Sequence, residues 1–209
     1  MLAASALPLA ARADTTHEFW PELDLWVTLS KPARLLFTVA GTRDRDDGEK
    51  TDGTFGAYLD YRTTERISVR AGYVYVRGVA TEPGESDSIE NRLVFDFNYR
   101  WRLSERALLV DRTRLDLRDR EDGNSYRARN RLRLQYETNM RNVGMTPYAS
   151  IEAVYDSRHD SVSRYRFEGG VVIPQGRRIE WDVYVGRQRD SQASTRYTNG
   201  IGVTLSFLY

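Results

Sequence analysis

The sequence predicts an all-β fold: a transmembrane antiparallel up-and-down β-barrel of 10 to 12 strands, twelve favoured, with short periplasmic turns and longer extracellular loops. Three observations predict it. Apolar and polar residues alternate with period two in eleven segments of about 10 to 13 residues, the length a tilted strand needs to cross a hydrocarbon layer. The connections alternate between short and long, which gives one rim turns and the other loops. The polar face of the segments is dense in charge, whereas the apolar face is rich in aromatic residues.

Residues 1–13 form an apolar run that ends in Ala11-Arg12-Ala13, the small-x-small pattern cut by signal peptidase. They are taken as the remnant of a signal peptide, which leaves residues 14–209 as a single barrel domain. The first segment, from Phe19 to Leu29, places Phe19, Leu23, Leu25 and Val27 on one face and Trp20, Glu22, Asp24 and Trp26 on the other. The same periodicity recurs in 33–42, 54–62, 66–76, 89–101, 107–118, 126–137, 148–156, 164–173 and 178–188. The last segment, 196–208, has Ile201, Val203, Leu205, Phe207 and Tyr209 on one face; the terminal aromatics Phe207 and Tyr209 resemble the C-terminal signature that barrel assembly machinery reads and are the expected assembly signal. Short connections such as 30–32, 63–65 and 174–177 alternate with longer polar ones at 43–53, 77–88, 119–125, 157–163 and 189–194. No segment has an apolar stripe at spacings of three and four.

A soluble sandwich also alternates, so charge must decide between the two. Burying this many ions in a soluble core costs several kcal/mol for each imperfectly paired one, whereas a wet lumen accepts them. Parity poses a separate problem. Bacterial single-chain barrels have even strand numbers, and eleven segments then require either a twelfth strand or an N-terminal stretch threaded through the lumen.

The opening His17-Glu-Phe-Trp-Pro-Glu-Leu-Asp-Leu-Trp26, the loop Thr42-Arg-Asp-Arg-Asp-Asp-Gly48 and the hairpin strand Asn130-Arg-Leu-Arg-Leu-Gln-Tyr136 resemble a bacterial outer-membrane family, domain of unknown function 2490. The likeness spans nearly the whole chain after residue 13. It implies a small barrel in the bacterial outer membrane and carries over no site residue.

Composition excludes much chemistry. The chain has no Cys and 2 His, so thiolate zinc, disulfide and redox sites are absent and no metal or cofactor is expected. Loss of Arg12 leaves 30 basic and 30 acidic residues, a neutral chain with no global field for nucleic acid. His159, beside Asp156 and Asp160, is a solvated loop residue rather than a hydrolytic centre, and the chain is not expected to be an enzyme. The candidate site is the polar face. Arg92, Arg112, Arg114, Arg127, Arg129, Arg131 and Arg133 form a basic ladder, and Asp96, Asp116, Glu152, Glu168, Glu180 and Asp182 are the lumen carboxylates. Guanidinium forks bind carboxylates and phosphates bidentately. The ladder is therefore either an open track that favours small anionic solutes in a porin-like channel, or part of a salt-bridge lattice in a closed structural or partner-binding barrel. A hydrolase is the less favoured third option. Membrane lipid and lipopolysaccharide are the other expected partners. Leu93, Phe95, Phe97, Leu132, Leu134, Val183 and Val185 are assigned to the lipid face, and Arg at Val94, on the wet side, is expected to be mild.

Overall fold

The computed structural model describes residues 15–44, 51–79, 87–121, 123–140, 143–192 and 196–209; residues 1–13, expected to be a signal-peptide remnant, lie outside them. The strands are β1 (Thr15–Thr28), β2 (Ala33–Asp44), β3 (Thr51–Arg62), β4 (Ile67–Val79), β5 (Ser88–Arg102), β6 (Ala107–Arg120), β7 (Ser125–Tyr136), β8 (Thr138–Met140), β9 (Val143–Asp156), β10 (Ser161–Gln175), β11 (Ile179–Asp190) and β12 (Tyr197–Leu208). Among the described residues no helix is long and apolar enough to cross a membrane.

Eleven strands, all but β8, close into one ring. Neighbours run antiparallel except at the seam, where β1 lies parallel to β12 from Thr15↔Tyr197 to Trp26↔Leu208. This seam is a geometric necessity: in an odd ring of alternating strands the first and last point the same way. Among the described residues twelve strands are present, but the one outside the ring is the three-residue β8, which pairs with the start of β9. The parity problem is thus met by parallel closure. Residues 15–28, rather than threading the lumen, form a wall strand.

The turn rim holds the tight connections. Thr64 and Ser104 close two of them by accepting the backbone N–H of Ile67 and Ala107, each at 3.0 Å. Gly176 takes φ of 71° in a third, a conformation that costs glycine little. Tyr209 lies at this rim and staples the seam: its N–H donates to the Trp26 carbonyl at 2.9 Å, and its carbonyl accepts the Thr28 N–H at 2.7 Å. On the other side of β1, the ladder to β2 skips from Phe19↔Arg43 to Glu22↔Ala40, where Pro21 has no N–H to offer.

Alternation sets the two faces. Leu93, Phe95, Phe97, Leu132, Leu134, Val183 and Val185 are all exposed on the outside, which suits a wall facing lipid. Inside, one sector is apolar. Leu36, Tyr58, Val74 and Val94 from β2 to β5 pack together, joined by Trp26 and Val76. Val94 is 1% exposed within this cluster, so the side expected to be wet is apolar at this position, and an Arg there would have to displace its packed neighbours to reach the lumen cavity. Elsewhere aromatic rings lie flat on glycines. A Cβ at Gly200 would sit 2.3 Å from the Trp20 ring, and one at Gly202 would sit 2.0 Å from Tyr184. Trp20 and Tyr184 stack on each other with centroids 6.2 Å apart.

Candidate functional site

The even-numbered residues of β6, the odd-numbered residues of β7 and their counterparts on β9 to β11 point into the barrel, because register holds through each hairpin: Arg114 opposes Arg129, and Arg112 opposes Arg131. Four arginines thus stand side by side, a repulsive arrangement unless carboxylates intervene. They do. Arg112 donates to Glu152 at 2.9 Å, Arg114 grips Asp96 through two bonds of 2.6 and 2.9 Å, and Arg127 reaches Asp156 at 2.7 Å. Arg129 lies 3.0 Å from Asp116, and Arg133 lies 3.1 Å from Asp182 while stacking 3.4 Å above the Tyr148 ring. Arg92 meets Glu90 at 2.6 Å. Arg131 has no ion pair or hydrogen bond to its side chain among the described residues, and its Nε is buried without a partner.

The carboxylates fare differently from one another. Asp96 also lies 3.8 Å from Arg70, which itself bonds Asp60, so one chain of charge runs Arg34, Asp60, Arg70, Asp96, Arg114. Asp182 accepts the Tyr148 hydroxyl at 2.8 Å. Glu168 accepts from Ser150 at 3.0 Å and lies 3.5 Å from Arg166. Glu180 lines the lumen without an ion pair among the described residues. Phe207 continues the outward row of β12, and Tyr209 is 60% exposed with Arg178 against its ring at 5.6 Å.

The tightest node includes residues outside the ladder. Arg118, 4% exposed at its side chain, bonds both Glu90 and Asp156, the latter at 3.0 Å. Glu22 and Asp24 on β1 were likewise absent from the candidate carboxylates, although the same alternation puts them on the Trp20 and Trp26 face. Both line a lumen cavity of about 600 Å³ with Arg112, Arg114, Arg131 and Glu180. In the ring order β1 stands across the barrel from β6 and β7, so an acidic wall faces a basic one over this cavity. His159 is exposed in the turn after β9, where Asp160 is taken by the Tyr155 hydroxyl at 2.6 Å. No grouping of His, Asp and Glu among the described residues has the form of a metal site.

A closed ring of strands, antiparallel but for its β1–β12 seam, with a lipid-compatible exterior and a charged interior defines an outer-membrane-type β-barrel. The chain belongs to the family described as "Protein of unknown function (DUF2490)", whose model matches residues 17–199. Among solved structures it is similar to LpxR from Salmonella typhimurium, with a TM-score of 0.59 over 88% of this chain and 86% of that one. At 7% identity that likeness shows a shared fold alone. No curated protein matches the chain in sequence.

Proposed function

We propose that the protein resides in the bacterial outer membrane as a barrel braced from within by ion pairs, serving the envelope as a structural or partner-binding element rather than as an anion track or an enzyme. The observation that carries this reading is the fate of the ladder: six of its seven arginines meet a carboxylate at 3.1 Å or less. Arginines paired with carboxylates have their charge neutralised, which leaves little positive potential to draw a passing anion. In this reading membrane lipid and lipopolysaccharide surround the barrel, and the assembly machinery recognises Phe207 and Tyr209.

A second reading, a narrow polar path for small anions, is favoured by Arg131, the ladder member with no ion pair among the described residues, which lines the 600 Å³ cavity. Planar-bilayer recording on the purified barrel separates the two. The braced barrel is expected to give no steady conductance. A steady anion-selective current in the wild type that vanishes in Arg131→Gln would overturn it in favour of the path.

A further inference from the structure

The outer wall is not uniformly apolar. Following the register across β9, β10, β11, β12 and β1, one outward row reads Ala149, Gly169, Val185, Ile201, Phe19. The next row toward the loop rim reads Ile151, Phe167, Arg187, Asn199, His17, and the one after it carries Tyr165, Arg189 and Tyr197. Two features coincide there. Missing bulk at Ala149 and Gly169 leaves an apolar groove, walled by Phe167, Val185 and Ile201, with a volume of about 630 Å³. Directly above its loop-rim end stand Arg187 and Arg189, both exposed and without a carboxylate among the described residues. The outward Arg77 is different, since Asp87 neutralises it at 2.7 Å. Arg187 is held against the Tyr197 ring, 4.8 Å from its centroid, which fixes a guanidinium at the mouth of the groove.

Two unneutralised guanidinium groups on a wall otherwise suited to lipid call for an anion, and an apolar slot directly beneath them calls for a chain. A guanidinium fork pairs with phosphate, and a side-chain-free floor admits an acyl tail closer to the backbone than elsewhere on the wall. We infer that the β9–β10–β11–β12–β1 face is a binding site for the acylated, phosphorylated glycolipid of the outer leaflet, its phosphate on Arg187 and Arg189 and one acyl chain in the Gly169 groove. The inference rests on the proposed outer-membrane residence, which places the loop rim outside. It is independent of whether the lumen conducts: a barrel that passed current yet bound the glycolipid would fail the braced-lumen proposal and keep this one.

The test uses the whole barrel in a neutral maltoside detergent, with purified deep-rough lipopolysaccharide as probe and binding read by native mass spectrometry. Two variants attack the two halves separately. Arg187→Gln with Arg189→Gln removes the charge, and Gly169→Leu fills the groove at a position where a Cβ would meet nothing closer than a carbonyl at 4.0 Å. Both should keep the heat-modifiable mobility of a folded barrel, and each is expected to weaken lipopolysaccharide binding about tenfold or more. Unchanged binding in either variant would overturn the site as drawn. So would binding of phosphatidylglycerol as tight as that of lipopolysaccharide, which would mark a general anionic-phospholipid surface.

Discussion

Substituting the β7 arginines one at a time separates paired from unpaired members of the same ladder. Arg129 and Arg131 differ by a single turn of the alternation, share a strand and a face, and have side chains of identical chemistry. Their partners differ. Asp116, which faces Arg129 at 3.0 Å, is 1% exposed, so Arg129→Gln leaves a buried carboxylate with no other ion pair among the described residues. Breaking a buried pair from one side costs about 3 to 5 kcal/mol. Arg133→Gln abandons Asp182, but that carboxylate keeps the Tyr148 hydroxyl and is 18% exposed at its side chain, so a smaller loss of about 1 to 3 kcal/mol is expected. Arg131→Gln breaks no ion pair among the described residues and relieves repulsion from the Arg112 opposite it, so it is expected to cost the least of the three. Equilibrium urea unfolding of each variant from phosphatidylcholine vesicles, followed by tryptophan fluorescence, measures the order directly. The predicted order of loss is Arg129→Gln, then Arg133→Gln, then Arg131→Gln. Equal losses at the three positions would refute the lattice, because they would mean that the individual carboxylate partners carry no energy.

Three other perturbations probe the wall, the seam and the lumen floor. Phe95→Arg on the outer face should cost about 2 to 4 kcal/mol, and Val94→Arg, aimed into the packed Leu36–Tyr58–Val74 cluster, should be at least as damaging; the same unfolding assay compares them, and a mild Val94→Arg would show that the cluster is wet. Gly200→Ala drives a methyl group into Trp20, which should cost about 1 to 3 kcal/mol and shift the tryptophan emission, whereas wild-type stability would show that the ring has room to move. Deleting residues 207–209 removes the Tyr209 bonds to Trp26 and Thr28 along with the aromatic terminus, so the protein should be exported yet stay protease-sensitive and not heat-modifiable; normal assembly of the truncation would refute the role of Phe207 and Tyr209.

Alternation within each segment was enough to place Leu93, Phe95 and Val183 outside and Asp96, Arg114 and Asp182 inside, because the side-chain period of a strand is local and needs no partner to define it. The same local signal already contained Glu22, Asp24 and Arg118, which share the polar register of their strands. What no local pattern contains is the distance between strands far apart in sequence. Ring closure on a parallel β1–β12 seam follows from the number and stagger of all the strands together. Which arginine takes which carboxylate is likewise a property of the closed ring: Arg133 on β7 reaches Asp182 on β11, and Arg118 on β6 reaches past β7 to Asp156 on β9. The period-two pattern assigns each charge a side of the wall; barrel radius and strand tilt bring charges from non-adjacent strands within reach across the lumen, and those two quantities exist only once the sheet has closed.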